Sequence, residues 1–96
     1  MIQAIWNGAV IAEASEYAVK RVEGNVYFPP DALHHQYFQP SPWETTCFWK
    51  GRANYYDIVV DDKINSGAAW YYANPRFLAK HIAGYVAFWH GVEVRQ

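Results

Sequence analysis

ETTCFWKGRANYYDIVV, residues 44–60, decides how the chain is read. Two β-rich runs, ETTCFWK and ANYYDIVV, flank Gly51-Arg52. Glycine at the first central position suits a type II′ turn, so the stretch predicts a β-hairpin. With a two-residue turn, Lys50 pairs with Ala53, Phe48 with Tyr55 and Cys47 with Tyr56. Strand alternation then puts Cys47, Trp49, Tyr56 and Ile58 on one face, and Phe48, Lys50, Tyr55 and Asp57 on the other. The first set reads as core. The second, with a cation, a phenol, a carboxylate and an aromatic wall, reads as a site. A three-residue loop would pair Cys47 with Tyr55 instead, and register controls every face.

Outward from this hairpin the signals are also β. Asn7-Gly8 joins IQAIW to AVIAEA, the favoured pair for a type I′ turn. YAVKRVE (17–23) alternates like a strand and turns at Gly24-Asn25 into VYF. Pro29-Pro30 stops that strand, since proline cannot donate to a ladder. PDALHHQYF is expected to make one or two helical turns, and QPSPW (39–43) a loop. Asp61-Asp62 turns the chain into a short KIN strand, and AAWYY (68–72) reads as another. Asn74-Pro75 opens the best helix signal, with Phe77, Leu78 and Ile82 as its apolar face and Gly84 as its stop. YVAFW and VEVR, turned at His90-Gly91, read as a closing hairpin. The tally is about eight short strands and two short helices, a mainly β antiparallel fold, two-sheet or folded over.

Ninety-six residues make one domain, 1–96, with 52% hydrophobic and 19% aromatic residues. The aromatic share supplies apolar area to a small core, or spills outward as a ligand cleft or dimer face. The net charge of −1, spread evenly along the chain, argues against a nucleic-acid partner. No apolar run approaches the roughly 20 residues of a membrane span, and no signal-peptide pattern opens the chain. No membrane partner and a cytoplasmic location are therefore expected. Cys47 is the only cysteine, so no internal disulfide forms.

The chain resembles the bacterial domain-of-unknown-function family 427 over its whole length. The resemblance rests on AIWNG (4–8), VEGNVYFPP (22–30), TTCFWKGRANYY (45–56), AAWYYANP (68–75), IAGYVAFW (82–89) and VEV (92–94). Two positions depart from the family pattern. Phe48 follows the cysteine where proline is common, and Asp62 stands where glycine is frequent. The resemblance implies a fold similar to the β-tent, shared with methionine sulfoxide reductase B-type domains and the thalidomide-binding domain of cereblon. It also brings a nucleotidyltransferase label with no established activity behind it.

Several β-tent proteins hold zinc through four cysteines, which one cysteine cannot do. His34 and His35 splay apart as sequence neighbours, so no metal and no cofactor are expected. Aromatic packing would then fasten the sheets in the metal's place. Cys47 as a nucleophile needs a nearby cation and solvent access, and a buried packing role is the commoner use of a lone cysteine. No glycine-rich phosphate loop, GxSxG elbow or HExxH occurs. Nucleotidyl transfer needs convergent carboxylates for a metal, and Asp61-Asp62 reads as a turn.

The reading that follows is a domain binding a small flat or anionic ligand in an aromatic-lined groove. Lys50 would neutralise the ligand, Tyr55 would hydrogen-bond it, and Trp70 with Tyr27 would form walls. A protein-interaction or homodimerisation module is the first alternative, and an enzyme using Cys47 or Lys50 the second.

Overall fold

The structure, a computed structural model, describes residues 1–96. Its strands are β1 (Ile2–Trp6), β2 (Ala9–Ala14), β3 (Lys20–Val22), β4 (Asn25–Tyr27), β5 (Phe38–Cys47), β6 (Gly51–Val60), β7 (Lys63–Tyr71), β8 (Val86–Phe88) and β9 (Glu93–Arg95). They pair antiparallel in three sheets, ordered β2-β1-β9, β3-β4 and β5-β6-β7-β8. The fold is mainly β, and its helical pieces are short 3-10 turns. No helix is long and apolar enough to cross a membrane.

Turn chemistry sets several boundaries. Asn7 and Gly8 take φ of 49° and 79°, as a type I′ turn requires. Asn7 Nδ2 also donates to the Val60 carbonyl at 3.2 Å, tying the first hairpin to the end of β6. Asp61 and Asp62 turn β6 into β7 with φ of 50° and 64°. The β3–β4 turn falls one residue earlier than expected. Glu23 and Gly24 occupy it, and Val22 pairs with Asn25.

The 44–60 hairpin is the main correction. Phe48, Trp49 and Lys50 form a three-residue loop, and Cys47 pairs with Gly51, Thr46 with Arg52 and Thr45 with Ala53. Neither expected register occurs. Gly51 is the first paired residue of β6 rather than a turn residue. Its φ of 108° lies where a side chain is strained, so glycine is what lets the loop close at this position, ahead of the expected turn. Strand alternation therefore does not apply to Trp49 and Lys50.

Four other expectations change. Residues 39–43 belong to β5 instead of forming a loop. β5 is an edge strand, where Pro40 and Pro42 cost little, and a bulge between Ser41 and Glu44 absorbs the irregularity. KIN and AAWYY fuse into the single strand β7, again across a bulge. The expected closing hairpin is split: β8 pairs with β7, and β9 crosses to β1. The Asn74–Gly84 segment is a 3-10 run at Phe77–Ile82, not an α-helix. Residues three apart eclipse in a 3-10 helix. Ala79 and Ile82 thus form the buried stripe, and Phe77 and Leu78 point to solvent.

Strand alternation serves two cores. On β6, Ile58 and Val60 join Ile2, Ile11, Phe28, Val86 and Phe88, with Tyr56 packed against them. Ala53 and Tyr55 on the opposite face join Tyr27, Tyr72, Ala79, Ile82 and Ala87. The period of two also divides β4 and β8: Val26 and Phe28 against Tyr27, and Val86 and Phe88 against Ala87.

Candidate functional site

The second core is the aromatic one, and it contains the predicted site. Tyr27 and Tyr55 belong to it, Trp70 packs on it half-buried, and Lys50 lies beside it. Four residues chosen from distant parts of the sequence share one neighbourhood. Trp70 Nε1 donates to the Tyr27 hydroxyl at 3.2 Å, and the two rings meet edge-on at 6.2 Å. Trp70 meets Trp89 edge-on at 5.4 Å, and Trp89 stacks on Tyr55 at 6.2 Å. Tyr55 continues to Trp43 at 6.1 Å. Its hydroxyl shares a 2.8 Å hydrogen bond with Thr45 Oγ1.

This wall is packed rather than open. Tyr27 is fully buried and Tyr55 nearly so. The surface hollows lie elsewhere, one around Met1, Tyr17 and Arg21, the other around Arg52, Asn54, Ala73 and Asn74.

Lys50 carries the charge. It is only 5% exposed, unusual for lysine, which is almost never buried unless paired. Its partner is Glu23, an ion pair from the β3–β4 turn to the β5–β6 loop. Rings complete the cradle: the ammonium lies 5.3 Å from the Trp49 ring centroid and 5.8 Å from that of Tyr72. The loop is held from outside. The Arg76 N–H donates to the Lys50 carbonyl at 2.8 Å, and the Arg76 guanidinium to the Phe48 carbonyl at 2.5 Å.

The electrostatics follow from this geometry. Burial works against the Lys50 ammonium. The Glu23 hydrogen bond and the fields of Tyr27, Glu23 and Cys47 outweigh it, and the pKa stands above the ordinary lysine value. For Glu23 the Lys50 hydrogen bond is the leading cause of a lowered pKa. Burial, reinforced by the field of Tyr27, pushes the Tyr72 phenol up. Tyr72 is therefore a neutral phenol beside the cation near neutral pH.

These shifts fix a sign. A lowered carboxyl pKa stabilises the fold above its unfolded value, near 4.5, and the contribution fades as pH falls through the folded value. A raised lysine pKa stabilises below 10.5, and the contribution fades as pH rises through the folded value. The pair thus supports the fold between these limits. The drop in urea midpoint from about pH 7 to about pH 3 should be smaller in Glu23→Gln than in the wild type, because the variant has no carboxylate to titrate there. An equal acid loss in both proteins would contradict the assignment.

Tyr27→Phe removes the acceptor of the Trp70 N–H. A loss of about 1 kcal/mol is expected in urea denaturation.

Sequence reasoning missed Glu23 and Tyr72. Glu23 stands one residue before the expected turn, and nothing in the sequence links position 23 to position 50. Cys47 and Trp49 pack with the Tyr55 cluster rather than with Tyr56, because the register differs. Phe48 leaves the site altogether and is exposed.

Three or more His, Cys, Asp or Glu side chains do not gather anywhere in a metal-ligating group. Asp61 and Asp62 sit exposed in their turn. The chain matches, over residues 1–96, the sequence model of a family labelled NTP_transf_9 and described as a domain of unknown function (DUF427). No curated protein matches it.

Proposed function

Because the chain belongs to the DUF427 family, whose description assigns no activity, we propose from the site itself that it binds a small, flat, anionic ligand at Lys50. The observation that carries this reading is the buried ammonium among Tyr27, Trp49 and Tyr72, countered by one carboxylate that is itself half-exposed. A lysine in such a place is costly unless an anion completes it. Glu23 occupies the place a ligand carboxylate or phosphate would take. It lies on a two-residue turn at the surface, so displacement returns it to water. The ligand's ring would stack on the half-buried Trp49, and the packed wall of Tyr27, Trp70 and Tyr55 would back the cradle from within and hold its shape.

Thermal-shift measurement across aromatic carboxylates, nucleotides and inorganic phosphate tests the reading. A saturable rise in melting temperature is expected for at least one aromatic anion. Lys50→Ala should abolish it, and Trp70→Ala should weaken it. No response across the panel, or responses unchanged in both variants, would sink the proposal.

A further inference from the structure

The residues outside the Lys50 cradle have a second character. Phe48 is 90% exposed, Phe77 84% and Leu78 73%. The two hydrogen bonds from Arg76 to the 48–50 loop bring Phe48 beside the start of the 77–82 run. Three large apolar side chains therefore stand out from one end of the molecule. Nothing in the core requires them there, since the 3-10 run buries only Ala79 and Ile82.

Cations gather at the same end. Arg52, Arg76 and Lys80 are exposed, Lys50 lies beneath, and Lys20 reaches the His81 carbonyl. The anions here are Glu23 and Glu44, and both are already paired, with Lys50 and Arg52. This end carries a net charge of +3. The remainder holds Arg21, Lys63 and Arg95 against Glu13, Glu16, Asp31, Asp57, Asp61, Asp62 and Glu93, a net −4 that restores the −1 of the whole chain. The charge that is evenly spread along the sequence is divided by the fold.

We propose that this end docks on an anionic phospholipid surface. Phe48, Phe77 and Leu78 enter the boundary between headgroups and acyl chains, and Arg52, Arg76 and Lys80 meet the lipid phosphates. Neither signal holds a protein on a membrane alone, but apolar insertion and a cationic rim act together. A second copy is a poor occupant of this face. A two-fold interface would bring two like-charged cationic rims together around the apolar centre.

The test is flotation with neutral phosphatidylcholine vesicles and with vesicles carrying about 30% phosphatidylserine, at about 0.1 M salt. Wild-type protein should float with the anionic vesicles and not with the neutral ones. Each cation near the surface is worth about fivefold in partitioning, so Arg52→Gln with Lys80→Gln should lower it about twentyfold. Replacing Phe48, Phe77 and Leu78 with serine should lower it about tenfold or more. All five positions are exposed, so thermal unfolding of the variants should match the wild type. Absence of flotation, equal flotation with neutral vesicles, or variants that float like the wild type would overturn the proposal. So would a dimer in sedimentation that the serine variant abolishes, which would assign the patch to a second copy.

Discussion

Phe28→Ala should destabilise the fold by about 3–5 kcal/mol in urea denaturation, the range for truncating a fully buried aromatic ring. Phe28 has no exposed surface, and its ring meets Phe88 edge-on at 5.5 Å. Phe88 continues to Phe38, Phe38 to Tyr56, and Tyr56 to Tyr71. A cavity at Phe28 removes the first ring of that series. The backbone of Phe28 also exchanges two hydrogen bonds with Val86, at 2.7 and 2.8 Å. This link fastens the two-stranded β3–β4 sheet to the four-stranded one. A two-stranded hairpin is marginal by itself, so the loss should fall on the hairpin first. Domains of this size are stable by roughly 5–15 kcal/mol, and the substitution would take a large part of that. A cost under about 1 kcal/mol would show that the hairpin is held by something other than this ring. The consequence reaches the site, because the same hairpin places Tyr27 in the second core and carries Glu23 to Lys50. Phe28→Ala should therefore weaken any anion response without touching the ligand.

The hairpin turns and the mainly β character are legible in the sequence because they depend on local chemistry. Asn7-Gly8 and Asp61-Asp62 need only their own backbone preferences to turn the chain. The 44–60 register is not legible, because it depends on where Gly51 puts its φ of 108°, and turn position and first strand position both favour glycine. That choice moves Lys50 from a strand face into a loop. The 74–84 segment misleads for a related reason. Its caps and apolar residues suit an α-helix, but the Arg76 backbone is bonded to Lys50 and the buried stripe repeats every three residues. Tertiary contact overrides local preference. β8 and β9 are adjacent in sequence and belong to different sheets, a separation that no turn signal encodes. The clustering of Lys50, Tyr55, Trp70 and Tyr27 follows from residue chemistry, although the expected register of Lys50 and Tyr55 is wrong. On β6 the alternation of Tyr55 against Tyr56 holds in either register. Glu23 stays hidden because its role depends on a contact with a residue far along the chain, Lys50.

Glu23→Gln should bind anions more tightly than the wild type, and Lys50→Met should scarcely bind them. The two partners of one ion pair thus give opposite results, which a purely structural pair would not. Lys50→Met keeps the length of the stem and removes the charge. A hydrogen bond to a charged group is worth about 1.5–3 kcal/mol, so affinity should fall about ten- to a hundredfold. In the wild type an incoming anion must first displace the Glu23 carboxylate, whose hydrogen bond to Lys50 is the main cause of its lowered pKa. The amide introduced by Glu23→Gln keeps the shape of the side chain and gives up the competing charge. Sulfate is a suitable probe because it keeps its charge in mild acid. As pH falls through the lowered Glu23 pKa, the carboxylate takes a proton and releases Lys50, which stays charged. Wild-type affinity for sulfate should then rise towards that of Glu23→Gln, whose own affinity stays flat over the same range. Added salt should weaken binding in both proteins, though less than for a surface lysine, since the ammonium is buried. Titration calorimetry at several pH values measures all of this. Weaker binding by Glu23→Gln than by the wild type would mean that Glu23 helps to build the cradle, and the view of it as the ligand's stand-in would fail.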